Sequence, residues 1–316
     1  MSKIAIGVDT SNYTTSLSLI KDGAIIKNTR RLLPVAENER GLRQSDALFS
    51  HIKALPELSE ELFDSDEYSV DKVCCVGVSE TPRPCKGSYM PCFLAGVSFA
   101  NAIARALRVP LYSFSHQECH IMAALCSVGK QELLDGKFIS FHVSGGTTEI
   151  VLCQARDGRI DCEIIGGTRD LSIGQAVDRT GVMLGLPFPC GKALDDISLL
   201  SGESYGKIPV SVDGYYCSVS GLENKTKKMF TDGRSSEDIA LFLFEYISTL
   251  LSRLVENLRK DYNLPIVFAG GVMSNTKIRE RLSKFENVHF ASKELSCDNA
   301  CGTGLLAYRK FESENI

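Results

Sequence analysis

Two stretches of this chain carry the same pattern, and that echo constrains the fold more than any other feature of the sequence. Residues 8–17 lead to the turn Lys21-Asp22-Gly23, and residues 143–152 lead to Arg156-Asp157-Gly158. Each copy has an apolar strand, a turn of small polar residues, a second apolar strand and an Asp-Gly hairpin signal. Because the landmarks keep the same spacing in both copies, we predict a duplicated lobe.

The segments around the two copies alternate between helical and strand patterns. Helices are predicted over residues 45–63, 93–107, 173–184 and 238–259, and buried strands over residues 73–78 and 265–269. Such alternation is typical of an α/β fold. The chain has 316 residues, more than the usual single domain, so we expect two lobes, 1–135 and 136–316.

The composition excludes several classes of protein. Hydrophobic residues make up 44% and charged residues 23%, as in ordinary globular proteins. We find no signal-peptide pattern and no membrane-length apolar run, so we expect a cytoplasmic protein. Twelve cysteines without a C-x-x-C pair favour reduced thiols over a disulfide scaffold. The net charge of −4 argues against tight, independent binding to nucleic acid.

The sharpest local signal is S-H-Q-E-C-H at residues 115–120. Ser115 followed three residues later by Glu118 is a capping box, which predicts that a helix begins here. His116 and His120 then lie one turn apart on one face, an arrangement that suits two ligands of a single metal ion. The alternative is a pair of solvated helix histidines. The motif lacks the glutamate base of H-E-x-x-H, which disfavours a zinc peptidase.

Two glycine turns follow apolar strands. One lies in V-S-G-G-T-T at residues 143–148, and the other is Gly270-Gly271, shortly before Asn275. Glycines let backbone N–H groups converge on an anion, or let a flat or phosphorylated ligand approach the backbone. A plain hairpin turn and a plain crossover turn are the alternatives.

Two other features leave alternatives open. Asp298 precedes an apolar helix and is either a helix cap or a third metal ligand. Basic clusters occur at residues 27–31 and 225–228, and runs of this kind are usually solvated faces. Contact with RNA is the other interpretation, although no aromatic residues interleave with them.

Taken together and in order, these motifs resemble the universal TsaD family of tRNA N6-adenosine threonylcarbamoyltransferases, once described as glycoproteases (Gcp). The resemblance covers nearly the whole chain. The family shares the fold of actin, the heat-shock chaperone ATPases and sugar kinases (ASKHA), with nucleotide between two lobes. The resemblance therefore implies a duplicated two-lobe actin-like ATPase fold, each lobe a mixed sheet flanked by helices, in agreement with the internal echo.

The resemblance also implies a set of site residues. The family's ligands for one divalent metal, Fe²⁺ or Zn²⁺, fall on His116, His120 and Asp298. Its residues for threonylcarbamoyl-AMP, ATP or ADP fall on Val143, Ser144, Gly145, Gly146, Thr147, Asp178, Gly191 and Asn275. Among these, Asp178 matches the family's ribose-binding aspartate and Asn275 its adenosine-contacting asparagine.

The activity that the resemblance implies is acyl transfer. Threonylcarbamoyl-adenylate, made by a separate enzyme, would react with N6 of a tRNA adenosine beside the anticodon, and AMP would leave. The metal would polarise the threonylcarbamoyl group, and backbone donors of the glycine turn would stabilise developing oxygen charge. Because the chain is acidic, we expect weak binding to tRNA alone, partner proteins of a tRNA-modification complex, and a homo- or heterodimer through the N-terminal lobe. We expect no role at a membrane.

Several segments depart from the family pattern. The family turn E-T-S-C-D-(D/E)-T is D-T-S-N-Y-T-T at residues 9–15, and the histidine after V-S-G-G is Thr147. The short P-G-L turn is replaced by residues 80–89, and the helix start P-E-x-A-S-R-x-H by residues 39–45. This is the pattern of a paralogue with altered substrate or partner. A carbamoyl- or acyl-transferase with a non-tRNA substrate and a non-catalytic nucleotide-binding partner therefore remain alternatives, whereas a sugar kinase has no use for the two histidines.

Overall fold

The computed structural model describes residues 2–11, 13–34, 42–292, 294–295 and 299–315. Its backbone contacts form two compact units. The first comprises Met1–Asp135, Gln154–Cys162 and Glu294–Ile316, and the second Gly136–Cys153 and Glu163–Lys293. The predicted second lobe, residues 136–316, contains Gln154–Cys162 and Glu294–Ile316, which group with the first unit by their contacts. The division of the chain into lobes at residue 135 stays a prediction.

The first unit is built on a five-stranded sheet in the order β3-β2-β1-β4-β5. Its strands are β1 (Ile4–Asp9), β2 (Thr14–Lys21), β3 (Ala24–Leu32), β4 (Val73–Thr81) and β5 (Leu111–Ser115). The first three pair antiparallel, and β4 and β5 continue the sheet in parallel. A meander thus leads into parallel strands whose carboxyl ends share one edge.

Helices cover both faces of this sheet. Ile4, Ile6 and Val8 pack in a core with α1 (Gln44–Phe63) and α2 (Phe93–Leu107). Side chains alternate along a strand, so Gly7 and Asp9 belong to the opposite face. There a methyl group on Gly7 would lie 2.4 Å from the Ala300 carbonyl oxygen, just before α9 (Cys301–Glu314). Glycine therefore allows close packing on this face, and Asp9 ends its strand on the same side.

The second unit contains a seven-stranded sheet in the order β12-β11-β6-β7-β8-β10-β9. Its strands are β6 (Lys137–Val143), β7 (Thr148–Arg156), β8 (Arg159–Thr168), β9 (Ser211–Asp213), β10 (Tyr216–Ser218), β11 (Ile266–Ala269) and β12 (Val288–Phe290). Its helices are α4 (Ile173–Met183), α5 (Gly191–Ser198), α6 (Ser220–Thr231), α7 (Ser236–Asp261) and α8 (Thr276–Leu282). The apolar face of α7 provides much of the core against this sheet. The tip of the β7–β8 hairpin belongs by its contacts to the first unit.

The internal echo is present in the backbone as well as in the sequence. Asp22 and Gly23 have φ angles of 50° and 81°, and Asp157 and Gly158 have φ angles of 51° and 74°. Positive φ at both central residues is the geometry of type I′ turns, which match the twist of hairpin strands. The strand order β1-β2-β3 is accordingly repeated as β6-β7-β8. The predicted duplicated α/β fold is confirmed.

The predicted long helices lie within about two residues of the observed α1, α2, α4 and α7, an ordinary difference at helix ends. Among the described residues, no helix combines the length and apolar character needed to cross a membrane.

Candidate functional site

Helix α3 (His116–Ser127) begins with the capping box that the sequence predicts. The Ser115 hydroxyl accepts a hydrogen bond from the Glu118 backbone N–H at 3.3 Å, and the Glu118 carboxylate accepts one from the Ser115 N–H at 2.7 Å. Two N–H groups at the helix start are thereby satisfied. The first turn of α3, which carries His116, is fixed by these reciprocal bonds.

Glu118 does more than cap its helix. Its side chain is fully buried and also accepts hydrogen bonds from Arg159 Nε at 3.2 Å, Arg159 Nη2 at 3.0 Å and the Ile160 N–H at 3.1 Å. Burial raises the pKa of this carboxyl, but hydrogen bonds from Arg159 and Ser115 outweigh it, so the pKa lies below its ordinary value. Glu118 therefore stays charged and ties α3 to the start of β8.

The two predicted metal histidines lie together on α3. The ring centroids of His116 and His120 are 4.2 Å apart, with the ring planes at 71°. His116 is 8% exposed, and its Nδ1 lies 3.1 Å from the Asp9 carboxylate. Its Nε2 lies 3.3 Å from the Ser11 hydroxyl. The ring of His116 is thus oriented by the end of β1.

Asp9 is a buried carboxylate that the sequence analysis did not assign to the candidate site. It is 1% exposed, and its Oδ1 accepts hydrogen bonds from the Ser11 N–H at 2.9 Å and the Ser79 hydroxyl at 2.5 Å. Its Oδ2 meets His116. The available signal was its position at the end of a buried strand, at the carboxyl edge where α/β folds bind ligands.

The carboxylate beside His116 is one feature that metal-binding histidines share. Metal-binding histidines commonly direct one ring nitrogen to a carboxylate, which fixes the ring and its tautomer. Asp9 provides that carboxylate for His116. Within the part of the chain that the structure describes, no group of three or more His, Cys, Asp or Glu side chains forms a metal cluster. The predicted third ligand, Asp298, lies outside the described residues.

The V-S-G-G-T loop forms a tight turn between β6 and β7. Val143 is fully buried, and the Ser144 N–H donates to the Thr147 carbonyl at 2.9 Å. The Ser144 hydroxyl accepts from the Thr147 N–H at 3.2 Å. Gly146 and Thr147 complete the turn, with Gly146 exposed. The two glycines after the serine leave the surface of the turn without side chains.

The amino end of α4 packs against this turn. The Ser172 hydroxyl caps α4 and donates to the Gly145 carbonyl at 2.7 Å. A methyl group on Gly174 would lie 2.4 Å from the Ser144 carbonyl oxygen, so only glycine allows this approach. The positive end of the α4 dipole therefore lies beside the turn, a setting that favours an anionic group.

Asp178 connects the turn with α5. Its Oδ2 lies 3.8 Å from the position that a methyl group on Gly145 would take. Its Oδ1 accepts a hydrogen bond from the Cys190 N–H at 3.0 Å, immediately before Gly191. The structure therefore brings Gly145, Asp178 and Gly191 together, three of the residues predicted to bind nucleotide.

Asn275 is linked to the same group through Asp195, a residue that the sequence did not reveal. Asn275 caps α8 by accepting from the Ile278 N–H at 3.0 Å. Its amide nitrogen donates to Asp195 Oδ1 at 2.6 Å, and Asp195 Oδ2 accepts from the Thr276 hydroxyl at 3.1 Å. Asp195 lies one helical turn after Gly191 on α5, and this spacing was the sequence signal that could have indicated it.

The two basic clusters make contacts within the protein. Lys27 donates to the Glu61 carbonyl, and Arg31 pairs with Glu57, both on α1. Lys225 donates to the Pro209 carbonyl, and Lys227 pairs with Glu223. These four cations therefore contact other parts of the protein, and a role of either cluster in binding RNA stays a prediction.

Comparison with known proteins identifies the family to which the sequence is similar. The family model TsaD, tRNA N6-adenosine threonylcarbamoyltransferase, matches residues 34–304. The tRNA N6-adenosine threonylcarbamoyltransferase of Thermosipho africanus is 28% identical over 98% of this chain and 94% of that protein. An enzyme of the same name from Thermus thermophilus is 30% identical over 97% of this chain and 93% of that protein.

Among solved structures, component A of the (R)-2-hydroxyglutaryl-CoA dehydratase of Acidaminococcus fermentans has a similar fold. Its TM-score is 0.55 at 14% identity, over 98% of this chain and 99% of that one. At that identity the likeness concerns the fold alone. The predicted actin-like ATPase architecture is confirmed by it.

Proposed function

Because the chain belongs to the tRNA N6-adenosine threonylcarbamoyltransferase family, we propose that it transfers the threonylcarbamoyl group of threonylcarbamoyl-AMP to N6 of a tRNA adenosine next to the anticodon. The family match over residues 34–304 is the observation that carries this assignment. The fixed histidine pair on α3 and the linked residues of the glycine turn support it.

The proposal includes one divalent metal, Fe²⁺ or Zn²⁺, held by His116, His120 and Asp298. Support comes from the Asp9 carboxylate, 3.1 Å from His116 Nδ1, which would leave Nε2 for the metal in place of its 3.3 Å contact with the Ser11 hydroxyl. When bound, the metal supplies a Lewis acid for the carboxylate and carbonyl of the threonylcarbamoyl group. The protein's own part is to orient the His116 imidazole through Asp9 and to fix the start of the helix that carries both histidines through the capping box.

The nucleotide part of the substrate is proposed to bind along Val143, Ser144, Gly145, Gly146 and Thr147, with Asp178, Gly191 and Asn275. Backbone N–H groups of the turn and the amino end of α4 would stabilise negative charge on the phosphate or on the reacting oxygen. Asp178 is proposed to bind the ribose, where its carboxylate can accept from hydroxyl groups. Asp195 would hold the Asn275 amide in place for the adenine.

The reaction itself is a substitution at the carbamoyl carbon. The N6 amine of adenosine forms a new bond to that carbon, while the C–O bond to the phosphate breaks. AMP leaves with the electron pair of that bond, and the amine releases a proton to solvent. The reaction needs no nucleophilic side chain, so catalysis would rest on orientation and charge stabilisation.

The net charge of the chain indicates that it needs partner proteins to bind tRNA. A protein of net charge −4 provides few phosphate contacts of its own, so we propose that tRNA binds weakly without help. Partner proteins of a tRNA-modification complex, and a homo- or heterodimer through the N-terminal lobe, would supply further positive surface. A cytoplasmic location is proposed as well, because the proposed substrate is tRNA.

Reconstitution tests the proposal. The chain, an adenylate-forming enzyme, candidate partners and unmodified tRNA are incubated, and digested tRNA is analysed by nucleoside mass spectrometry. We expect threonylcarbamoyladenosine with the wild type, and none with His116→Ala/His120→Ala. His289→Ala, on β12 in the second unit, is the matched control and should keep the product. If a relative modifies the tRNA while this chain never does, the proposed function is wrong.

A further inference from the structure

The loop that joins β4 to α2 differs in character from the rest of the surface. We define the β4–α2 loop as residues 82–89, P-R-P-C-K-G-S-Y. Its residues 83–87 are all exposed, and the Tyr89 side chain is 62% exposed. The loop carries two cations, Arg83 and Lys86, and no acid, whereas the whole chain has a net charge of −4. It is therefore a cationic and aromatic segment on an acidic protein.

This loop lies against the start of α3. Thr81 at the end of β4 pairs with Ser115 at the end of β5, so both strands finish at the same edge. The Gln117 N–H donates to the Pro82 carbonyl at 3.1 Å, and Gln117 directly follows His116. The loop is thus attached to the turn of helix that carries the proposed metal ligand.

Two hydrogen bonds within the loop restrict its conformation. The Arg83 N–H donates to the Ser88 hydroxyl at 2.9 Å, and the Ser88 N–H donates to the Cys85 carbonyl at 3.1 Å. Pro82 and Pro84 restrict the backbone further. A loop that is ordered before it binds loses less conformational entropy on binding. Its exposed side chains are therefore presented without a large ordering cost.

The chemistry of these side chains matches single-stranded RNA. Unpaired bases in RNA loops stack on aromatic side chains, and their phosphates pair with Lys and Arg. No aromatic residue interleaves with the basic clusters at residues 27–31 and 225–228. The β4–α2 loop combines exposed cations with an exposed aromatic ring beside the proposed site.

We propose that the β4–α2 loop binds the anticodon loop of the tRNA substrate. Tyr89 stacks on an unpaired base near the target adenosine, and Arg83 and Lys86 pair with phosphates of the same loop. This inference rests on the proposed function, because that function supplies the tRNA. It assigns substrate selection to residues 82–89 of the longer segment, residues 80–89, that replaces the family's P-G-L turn.

Binding of a labelled anticodon stem-loop, followed by fluorescence anisotropy, tests the inference without any chemistry. The full chain is titrated at several salt concentrations, beginning at about 50 mM, where phosphate contacts are strong. The variants are Arg83→Gln/Lys86→Gln, Tyr89→Ala and Tyr89→Phe. Lys284→Gln removes an exposed cation from the second unit and is the matched control. A blunt duplex with the same stem serves as the second RNA.

The double charge variant should weaken binding and lower the slope of log Kd against log salt by about 1.4, since each single-strand phosphate contact contributes about 0.7. Tyr89→Ala should weaken stem-loop binding about fivefold or more, the loss expected for one stacked base, while Tyr89→Phe should bind like the wild type. The blunt duplex should bind more weakly and should not respond to Tyr89→Ala. Lys284→Gln should change nothing.

The inference is overturned if the wild type does not bind the stem-loop at the lowest salt, or if the loop variants bind as the wild type does. It is also overturned if Lys284→Gln weakens binding as much as the loop variants, or if the loop variants lose affinity only for a partner protein. Nucleoside analysis distinguishes failure of this inference from failure of the proposed function. Loop-dependent RNA binding without any modified nucleoside would refute the function alone, and normal modification by loop variants that bind normally would refute the inference alone.

Discussion

Replacing Glu118 by alanine should destabilise the first unit more than any exposed Glu→Ala change. The wild-type carboxylate is fully buried and accepts hydrogen bonds from the Ser115 N–H, the Ile160 N–H and the Arg159 guanidinium. Alanine would leave both backbone donors without their acceptor. The Ser115 hydroxyl, which also donates to this carboxylate at 2.8 Å, can rotate to another acceptor, and Arg159, 47% exposed, can be hydrated. The loss therefore comes mainly from the two backbone groups.

The magnitude follows from those two groups. An unsatisfied buried donor costs about 1–3 kcal/mol, so we expect Glu118→Ala to lower the free energy of unfolding by roughly 2–6 kcal/mol. The Arg159 pair adds little to this sum because solvent screens its exposed half. Glu312→Ala is the matched control. Its carboxylate pairs with Lys3 at 2.7 Å, but both side chains are about 40% exposed, so a much smaller loss is expected.

Urea unfolding followed by far-UV circular dichroism measures the difference, since the chain has no tryptophan to report by fluorescence. Because two units can unfold separately, hydrogen exchange of the α3 peptide should locate the change. Glu118→Ala should lower the midpoint clearly and speed exchange in α3, whereas Glu312→Ala should do neither. Equal midpoints for the two variants would refute the view that Glu118 fixes the histidine helix.

Three other changes have expected outcomes. The pKa of Glu118 is depressed, so its carboxylate stabilises the fold above the unfolded pKa of about 4.3, and this stabilisation is lost as pH falls through the folded pKa. The difference in melting temperature between wild type and Glu118→Gln should therefore be full at pH 7 and shrink below about pH 4. A difference that stays constant with pH would contradict this. Asp9→Asn should lower metal affinity about 10–100-fold, measured by metal titration with Asp46→Asn on α1 as control, and unchanged affinity would count against the proposed orienting role. A thiol reagent at pH 8 should label exposed Cys85 well before buried Cys217, because burial raises the pKa of Cys217 to about 12. Labelling of Cys217 as early as Cys85 would contradict this.

The parts of the fold that were predictable are those encoded by neighbouring residues. Asp22-Gly23 and Asp157-Gly158 specify the same turn because Gly accepts positive φ and Asp tolerates it. Ser115 and Glu118 are three residues apart, so their capping box was visible in the sequence. Local chemistry of this kind predicted the duplicated hairpins and the start of α3.

The parts of the candidate site that were not predictable depend on long-range contacts. Asp9 and His116 are 107 residues apart, and Asn275 and Asp195 are 80 residues apart. No local pattern indicates that these side chains meet, because the meeting depends on the order of strands in the sheet. The sequence therefore indicated candidate metal-binding and nucleotide-binding residues, which stay predictions, without the carboxylates that contact His116 and Asn275.

The central claim is transfer of a threonylcarbamoyl group to tRNA, and a single-turnover assay tests it most directly. Purified threonylcarbamoyl-AMP, labelled in its threonine part, is mixed with an excess of the chain, its partners and unmodified tRNA. The account predicts that label appears in the adenosine beside the anticodon as AMP is released, and that the His116→Ala/His120→Ala variant gives neither product. Release of AMP without labelled tRNA, under conditions where a relative labels the same tRNA, would contradict it.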